Sequence, residues 1–361
     1  MKIITIIGAR PQFIKASILS NLIKEEPDIE EIIIHTGQHF DLMMSNIFFS
    51  ELEIPKPKYN LNISSLSHGA MTGRMMEEIE KILLIEKPDL VLVYGDTNST
   101  LAGALSASKL NIPIGHIEAG LRSFYKKMPE EINRKLTDHI SDYLFCPTSA
   151  AIENLKQEGI IKNVELVGDI MYDSFLYYSK NLEPGYFVSN MLNLKTKEYC
   201  LLTLHRQENI DNFQNVYSLL FIVDNLSKKY NYKLIFPMHP RIYLFLEKNF
   251  FKFEDFENIV FISPVSYLDM ISLEINAKII LTDSGGVQKE AYFAKTPCIT
   301  LRDQTEWIEL LSTKMNVLTG LNENKIIEAF EKFITDNNNN FYQNLYGNGK
   351  TGQKILEKIK L

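Results

Sequence analysis

Apolar residues along this chain fall into short blocks, and longer amphipathic stretches separate one block from the next. The blocks are rich in β-branched residues and nearly continuous in hydrophobicity, which is typical of strands buried on both faces of a parallel sheet. The predicted strands are Ile3–Ile7, Ile32–Thr36, Leu90–Tyr94, Ile112–Ile117, Tyr143–Cys146, Val164–Val167, Cys200–Leu204, Lys233–Pro237, Ile259–Ile262, Lys278–Thr282, Cys298–Leu301 and Asn316–Leu318.

The amphipathic stretches between these strands repeat with the period of about 3.6 residues that is typical of helices. Regular alternation of strands and helices predicts an α/β protein with doubly wound parallel sheets. The predicted helices are Pro11–Lys24, His68–Glu86, Thr148–Glu158, Tyr172–Lys180 and Asn212–Lys229, and a further helix begins at Pro129.

The alternation breaks once, in the polar segment 178–198, which contains the turn-forming pair Pro184–Gly185. We therefore predict two doubly wound domains, residues 1–169 and 170–351, that face each other across a cleft. The predicted boundary lies at Gly168–Asp169. The last segment, Gly352–Leu361, is predicted to be a short helix that packs back on the first domain.

Composition and charge narrow the class of protein. The 361 residues are 45% hydrophobic and 23% charged, as in globular proteins. The net charge of −7 argues against nucleic acid or an anionic membrane as partner. Neither a signal-peptide core nor an apolar run of about 20 residues is present, so we expect a cytoplasmic protein. The three cysteines lack a C-x-x-C pair and are predicted to be buried thiols: Cys146, Cys200 and Cys298.

The segment LTDSGGVQKEA, residues 281–291, reads as the end of a strand followed by two glycines and a helix. A helix that opens on Ser284, Gly285 and Gly286 directs free N–H groups and the positive end of its dipole at whatever anion binds there. The chain contains neither a G-x-x-x-x-G-K-[ST] motif nor a G-x-G-x-x-G motif after a strand. A P-loop nucleotide or a dinucleotide is therefore not the expected ligand.

Ligands of open α/β sheets bind at the carboxyl ends of the strands. Several of these ends carry polar side chains that could take part in chemistry. The set comprises Arg10, Gln12, Lys15, Gln38, His39, Asp96, His116, Glu118, Arg122, Glu130, Glu131, His205, Arg206, His239, Arg241, Asp283, Ser284, Arg302 and Asp303.

Structural roles are open for several members of this set. Asp96 alone could be a helix cap, and Glu130 alone could favour a helix dipole. His116, inside an apolar strand, is interpreted as a core histidine with its hydrogen bonds satisfied. Asp96, Glu118 and Glu130 together are different, because all three fall at one edge of one sheet. Acids that converge on a cleft favour proton transfer or recognition of a polyol.

The remaining candidates suggest which chemistry these acids serve. Metal-ligand spacing and the G-x-S-x-G elbow are both missing from the sequence, which argues against a metal site and a serine hydrolase. His205 is available for acid–base work, and Arg10, Lys15 and Arg302 supply positive charge. With the diglycine helix terminus, this inventory fits proton abstraction or phosphate departure on a nucleotide-linked substrate.

Seven stretches together resemble the non-hydrolysing UDP-N-acetylglucosamine 2-epimerase family. They are GARPQFIKA, TGQHF, YGDTNST, HIEAGLRS, MPEEINR, TLHRQEN and LTDSGGVQKEA, and their order and spacing match those of the family over nearly the whole chain. The resemblance implies two Rossmann-like domains similar to the GT-B glycosyltransferases, a UDP-sugar substrate and a homodimer. It also implies that the enzyme needs neither NAD nor a metal.

The family's reaction is anti elimination of UDP across C1–C2 to give a 2-acetamidoglycal, followed by re-addition after protonation on the opposite face. The resemblance implies catalytic positions at Asp96, Glu118, Glu130 and His205, and it leaves open which of them removes the C2 proton. The implied contacts of the diphosphate, the ribose and the sugar are Ser284, Gly285, Gly286, Glu290, Arg10 and Lys15.

Within the family, the resemblance is strongest to the branch that converts UDP-2,3-diacetamido-2,3-dideoxy-glucuronic acid to its mannuronic epimer for lipopolysaccharide O-antigen. The usual G-T-R-P-E has Gln12 here in place of glutamate, and the usual T-E-R-P has Trp307 in place of arginine. We expect Gln12 to remove a negative charge and to donate an amide hydrogen bond to the sugar carboxylate. An alternative role for Gln12 is to cap the first helix.

Substrate activation, which simpler bacterial members of the family show, involves Q-H-R and H-R-R-E motifs. The corresponding residues here are 38–40 and 205–208, and each motif has lost an arginine. Three alternative functions remain: a UDP-N-acetylglucosamine 2-epimerase, a GT-B glycosyltransferase that turns over only with an acceptor, and a sugar-nucleotide-binding protein without activity. The full set of acids argues against the last.

Overall fold

A computed structural model of the chain describes residues 1–38, 51–180, 182, 188–335 and 343–360. They form two compact units, Met1–Leu176 with Asn344–Leu361, and Tyr177–Gln343. The division falls later than the predicted boundary at Gly168–Asp169. The reason is that the start of the following helix packs on the first unit, where the Ser174 hydroxyl donates to the Ile14 carbonyl at 2.9 Å. Pro184–Gly185 lies outside the described residues.

The first unit contains a seven-stranded sheet in which every pairing is parallel. Its spatial order is β3-β2-β1-β4-β5-β6-β7. This is the doubly wound order, in which the chain runs outward from β1 in one direction and then returns to β4 beside it. The strands are β1 Lys2–Ile7, β2 Glu30–His35, β3 Tyr59–Asn60, β4 Leu90–Tyr94, β5 Ile114–Ile117, β6 Tyr143–Cys146 and β7 Val164–Leu166.

The second unit repeats this topology with six parallel strands in the order β10-β9-β8-β11-β12-β13. Its two central strands, β8 and β11, correspond to β1 and β4 of the first unit. The strands are β8 Tyr199–Thr203, β9 Lys233–Pro237, β10 Ile259–Ile262, β11 Ile279–Thr282, β12 Cys298–Thr300 and β13 Asn316–Leu318.

Helices alternate with these strands, and the predicted α/β class with two doubly wound parallel sheets is confirmed. The two-residue strand β3 was not predicted, because its sequence, Tyr59–Asn60, contains no apolar run. The described helices are Arg10–Lys24, His68–Glu86, Asn98–Lys109, Pro129–Ile140, Ser149–Gln157, Ile170–Lys180, Val188–Met191, Gln207–Ile210, Phe213–Tyr230, Pro240–Lys248, Tyr267–Asn276, Gly285–Phe293, Ile308–Ser312, Glu323–Thr335 and Thr351–Ile359, with a 3₁₀ turn at Phe253–Asp255.

The central strands are buried on both faces, which explains their continuous apolar sequences. In β1, for example, Ile3, Ile4, Ile6 and Ile7 have no exposed surface. The three cysteines are buried, as predicted, and burial raises the pKa of the Cys200 thiol to about 12. Among the described residues, no helix combines the length and the apolar character needed to cross a bilayer.

The C-terminal helix Thr351–Ile359 belongs to the first unit, where it packs against the helix Arg10–Lys24. Its first turn is held by Asp173, whose carboxylate accepts the Gly352 N–H at 2.9 Å. Burial raises the pKa of Asp173 to about 6, although hydrogen bonds from the first turn of the helix oppose this rise. The attachment of the last helix is therefore sensitive to pH.

Replacing Asp173 by asparagine should change stability in a pH-dependent way. The folded-state pKa of about 6 lies above the ordinary value of 3.8, so the stability that protonated Asp173 contributes is lost as pH rises through 6. Asparagine stays neutral. The melting temperature of Asp173→Asn relative to the unchanged protein should therefore rise between pH 4 and 7. The corresponding change in the free energy of unfolding has an upper limit of about 3 kcal/mol. Calorimetry across this range measures the difference.

Glu131→Gln provides the opposite control. The pKa of Glu131 is lowered, because hydrogen bonds from Ser123 and the charge of Arg134 outweigh the effect of burial. Its stabilising contribution is present above the ordinary pKa and is lost in acid, so the relative melting temperature of this variant should fall as pH rises from 3 to 5. A pH-independent difference for Asp173→Asn would contradict the proposed titration.

Candidate active site

A buried glutamine, Gln12, connects the loop after β1 to the end of the adjacent strand β4. The Gln12 carbonyl oxygen accepts the N–H groups of Gly8 and Ala9 at 2.8 and 3.1 Å. Its amide donates to the Tyr94 carbonyl at 2.9 Å and to the Thr100 hydroxyl at 3.0 Å. Both amide hydrogens therefore have acceptors within the protein. This arrangement fits the alternative capping role, and donation by Gln12 to a sugar carboxylate stays a prediction.

Gly8 is required by its neighbours at the end of β1. A Cβ atom at this position would clash with the Thr36 and Ser99 hydroxyls, which hydrogen-bond to each other at 2.8 Å. The Gln38 side chain accepts the Ser99 N–H at 3.0 Å. Close packing of three loops thus fixes the start of the helix that carries Arg10, which is half-buried as its first residue.

Lys15 and Glu118 form a buried ion pair. Their charged atoms are 2.6 Å apart, and the side chains are only 8% and 9% exposed. Glu118 follows β5 and has a φ of 72°, a left-handed conformation that is unusual for a residue with a side chain. The backbone there is anchored by the N–H groups of Glu118 and Ala119, which both donate to the Phe145 carbonyl at 3.1 Å.

Asp96, which follows β4, is held by the helix Pro129–Ile140. Arg134 Nη1 lies 2.6 Å from the Asp96 carboxylate, and Arg134 Nη2 lies 2.9 Å from Glu131. Asn133 donates to the Asp96 carbonyl at 2.9 Å. Sequence reasoning missed Asn133 and Arg134, although the three-residue spacing of Glu131 and Arg134 on a helix was a usable signal.

The charges of two predicted acids of the first unit, Glu118 and Glu130, act on the third, Asp96. Burial raises the pKa of Asp96, and the charges of Glu118 and Glu130 add to the rise, whereas Arg134 and Lys15 oppose it. Glu130 itself is exposed on the first turn of its helix. The predicted convergence of Asp96, Glu118 and Glu130 at one sheet edge is therefore present in this unit.

His116 is a core histidine, as interpreted from the sequence. It has no exposed surface, and its Nδ1 lies 2.7 Å from Asp138 and its Nε2 2.8 Å from the Gly95 carbonyl. Arg122 binds the other oxygen of Asp138 at 2.6 Å. Because Gly95 precedes Asp96, this buried network supports the turn on which Asp96 stands.

In the second unit, the loop after β8 is organised by Asp283. This carboxylate follows β11, has no exposed surface, and accepts the N–H groups of His205 and Arg206, each at 3.1 Å. It also accepts the Asn209 side-chain amide at 3.1 Å. These donors, with the His205 ring, lower the pKa of Asp283 although burial acts in the opposite direction. The sequence placed Asp283 at a strand end but gave no hint of this role.

His205 contacts the same carboxylate through its ring. Nδ1 lies 3.2 Å from Asp283 Oδ1, and the side chain is 46% exposed. One ring nitrogen of the predicted acid–base residue therefore contacts a buried carboxylate, and almost half of the side chain is exposed.

The diglycine helix begins where the sequence predicted. Ser284 is its N-cap, with the hydroxyl accepting the Val287 N–H at 3.4 Å, and Glu290 is buried about one turn along. A side chain at Gly285 would clash with the carboxylate of Glu306. An acidic side chain of the protein thus lies at the helix terminus.

Two arginines accompany Glu306. Arg302 Nη1 is 2.9 Å from its carboxylate, and Arg206 Nη2 is 3.9 Å from it. Burial tends to raise the pKa of Glu306, but the Arg302 charge and further contacts more than offset this and lower it. The helix terminus and the two guanidinium groups form a strongly anion-attracting region.

Trp307, the residue that departs from the usual motif, lies beside this region. Its ring is buried. The Lys289 ammonium lies 4.0 Å from the ring centroid and makes a cation–π contact with it. Of the predicted activation motifs, His39 and Phe40 lie outside the described residues, and the side chains of Gln207 and Glu208 are not described. Within the described ranges, no group of three acidic, histidine or cysteine side chains could hold a metal ion.

Both sheets thus carry polar side chains at the strand ends where their topology switches, between β1 and β4 and between β8 and β11. Acids paired with cations at one switch point and an anion-attracting helix terminus at the other are what an α/β enzyme that acts on a sugar nucleotide needs. The profile of the UDP-N-acetylglucosamine 2-epimerase family matches residues 21–360. The chain belongs to this family, and it is a UDP-sugar 2-epimerase, an isomerase.

Individual relatives are similar in sequence to this chain over almost their full lengths. The UDP-N-acetylglucosamine 2-epimerase homolog of Methanococcus maripaludis is 55% identical over 100% of this chain and 99% of the relative. The UDP-2,3-diacetamido-2,3-dideoxy-D-glucuronate 2-epimerase of Pseudomonas aeruginosa is 49% identical over 99% of each chain. The crystal structure of Methanocaldococcus jannaschii UDP-GlcNAc 2-epimerase in complex with UDP-GlcNAc and UDP has a TM-score of 0.91, with 47% identity over 100% and 99% of the two chains. The fold is therefore GT-B-like.

Removing one partner of the Lys15–Glu118 pair should destabilise the first unit. Lys15→Met leaves a buried carboxylate without its ammonium, which typically costs roughly 3–5 kcal/mol. The double variant Lys15→Met with Glu118→Gln removes the uncompensated charge and should recover much of the loss. Urea unfolding followed by circular dichroism measures both.

Lys24→Met is the matched control, because Lys24 lies on the same helix but is exposed. Its effect should be within the range of an ordinary surface substitution, about 0.5 kcal/mol. Equal losses for the two methionine variants would contradict a buried, energetically coupled pair.

Proposed function

We propose that the chain epimerises a UDP-2-acetamido sugar at C2 by anti elimination of UDP and re-addition to a 2-acetamidoglycal. The observation that carries the proposal is the set of acids at the edge of the first sheet, two of which form ion pairs with Lys15 and Arg134. Asp96, Glu118 and Glu130 would move protons, and His205 of the second unit would take part in acid–base transfer. Elimination needs an ionised base at the sugar and an acid for the return step, and this set supplies both kinds of group.

Different environments assign different tasks to the two central acids. The Lys15 ammonium, 2.6 Å from Glu118, favours the carboxylate form, so Glu118 is proposed as the base that removes the C2 proton. The raised pKa of Asp96, caused by burial and by the neighbouring acids, suits a group that delivers a proton. Pairs of acids whose environments differ in this way commonly divide acid and base work.

The departing UDP is proposed to bind at the helix Gly285–Phe293. Free N–H groups at Gly285 and Gly286, with the N-cap Ser284, would receive the diphosphate, and Arg302 would add positive charge. Glu290 is proposed to receive the ribose hydroxyls, and Arg10 with Lys15 the nucleotide and the sugar. Since Glu306 now lies at this terminus, diphosphate binding would require its carboxylate to move aside.

For the sugar, we propose UDP-2,3-diacetamido-2,3-dideoxy-glucuronic acid, with UDP-N-acetylglucosamine as the alternative. The 49% identity to the diacetamido-glucuronate enzyme supports the first, and the 47% identity to the UDP-GlcNAc enzyme supports the second. Gln12 favours the uronate through charge rather than contact, because a glutamine leaves this edge one negative charge short of the usual motif. At a separation of about 10 Å and an effective dielectric constant of about 20, one charge is worth about 2 kcal/mol.

A homodimer, which the resemblance implies, stays part of the proposal. Leu84 and Ile85, at the end of the helix His68–Glu86, are 56% and 71% exposed and are available for a contact of this kind. Light scattering of the purified protein gives its mass in solution.

Turnover in D₂O should introduce deuterium at C2 of the product, because elimination removes this proton and re-addition takes one from solvent. Proton NMR of the product measures the loss of the C2–H signal. Glu118→Gln should slow the exchange by roughly 10²–10⁴. Epimerised product that retains protium at C2 would exclude the elimination route.

Ser284→Asp should weaken UDP binding and leave the free protein at least as stable. Aspartate is a good N-cap and complements the helix dipole, but its charge would repel a diphosphate at the same terminus. Calorimetric titration with UDP measures the affinity, and Ser284→Asn is the uncharged control. Unchanged affinity in the aspartate variant would mean that the diphosphate binds elsewhere.

The unchanged protein should turn over the diacetamido-uronate faster than UDP-N-acetylglucosamine, and Gln12→Glu should reduce this ratio roughly tenfold through the added charge. The ratio of kcat/KM values for the two sugars is the measurement. A structural disturbance of the loop would slow both sugars equally and leave the ratio unchanged. Faster turnover of UDP-N-acetylglucosamine by the unchanged protein would favour the alternative substrate.

A further inference from the structure

We propose that Asp283 is a positioning residue that acts through His205, holding the ring with a proton on Nδ1 so that proton transfer takes place at Nε2. This inference rests on the proposed acid–base role of His205. It adds to that role the atom that exchanges the proton and the residue that selects it.

The Asp283 carboxylate is surrounded by hydrogen-bond donors. Its oxygens accept the backbone N–H groups of His205 and Arg206 and the side-chain amide of Asn209, each at 3.1 Å. An ionised carboxylate is an acceptor only, and three donors from one loop surround it. The carboxylate has no exposed surface, so solvent does not compete for these bonds.

The ring of His205 contacts the same carboxylate. His205 Nδ1 lies 3.2 Å from Asp283 Oδ1. A hydrogen on Nδ1 is favoured there, because a nitrogen lone pair that faced the carboxylate would be repelled by it. Neutral histidine has a single ring N–H, so Nε2 is left with a lone pair. The side chain is 46% exposed. The tautomer favoured by Asp283 therefore has its basic lone pair at Nε2, on a side chain that is almost half exposed.

Charge balance supports the same assignment. When Nε2 takes a proton the ring becomes cationic, and the Asp283 carboxylate beside Nδ1 compensates the new charge. Asp283 is also the residue immediately before the N-cap Ser284, and its carbonyl accepts the Arg206 guanidinium at 3.1 Å. One buried side chain thus couples the proton-transfer residue to the helix terminus where the diphosphate is proposed to leave.

Asn209 offers a matched control. Its amide bonds to the Asp283 carboxylate and to the Leu301 carbonyl, both at 3.1 Å, so it shares the buried acceptor with His205. Asn209→Ala therefore disturbs the same loop and leaves the contact between Asp283 and the ring in place. A purely structural role of Asp283 would make Asn209→Ala and Asp283→Asn alike in their effect on the ring.

Nitrogen-15 NMR of histidine-labelled protein reads the tautomer directly, with His205→Gln identifying the signals of residue 205. We expect neutral His205 to carry its proton on Nδ1 in the unchanged protein and in Asn209→Ala, and to shift toward the Nε2–H form in Asp283→Asn. An Nε2–H tautomer in the unchanged protein overturns the proposal. This reading needs no variant of Asp283, so it decides the question even if Asp283→Asn does not fold.

Kinetics supply the second readout. Asp283→Asn and His205→Gln should each lower kcat by roughly 10²–10⁴, and the double variant should be no slower than His205→Gln alone. Multiplicative losses in the double variant overturn the proposal, as does an unchanged kcat in His205→Gln. Deuterium exchange at C2 distinguishes a failure of the proposed function from a failure of the role of Asp283. If exchange is absent in the unchanged protein, the proposed function fails, whereas the wrong tautomer with intact exchange removes only the role of Asp283.

Discussion

Carboxylates can share one edge of a sheet only if cations or bound protons compensate their mutual repulsion, and this constraint organises the first unit. The charges of Glu118 and Glu130 both act on Asp96 there, and Lys15 and Arg134 supply the opposing charge. In a part-buried environment an uncompensated pair of like charges costs several kcal/mol. The helices that follow β1 and β5 therefore do more than cover the sheet, because each brings one of the necessary cations to it.

The second unit solves the converse problem. Its helix terminus attracts anions, and two acids of the protein already lie near it, Asp283 and Glu306. Asp283 is surrounded by hydrogen-bond donors and is fully buried, so it acts as a fixed part of the framework. Glu306 is held by arginine side chains at 2.9 and 3.9 Å, partners that could equally bind phosphate. Asp283 is thus fixed by its donors, whereas the arginines that hold Glu306 would become available to a phosphate only if its carboxylate moved.

The fold was predictable because a strand that is buried on both faces has a nearly continuous apolar sequence. Among the described strands, the two-residue strand β3 lacks such a sequence. The strand-end acids were predictable for the same reason, since parallel strands end at one edge. Contacts between residues distant in sequence were not. Gln12 bonds to Tyr94, and Arg134 bonds to Asp96, across separations of 82 and 38 residues. Nothing local in the sequence specifies such a partner, so the hydrogen bonds that Gln12 makes inside the protein could not be foreseen.

Asp96 and Asp283 show how two copies of one topology acquire different chemistry. Each is the first acid after the strand at which its sheet switches direction, β4 in one unit and β11 in the other. Burial acts in the same sense on both, yet the pKa of Asp96 is raised and that of Asp283 is lowered. The difference comes from the neighbours. At Asp96 burial and the charges of two acids outweigh the nearby cations, whereas at Asp283 the His205 ring and N–H donors outweigh burial. The doubly wound fold thus supplies the position of an acid, and the side chains of adjacent loops decide whether its pKa is raised or lowered.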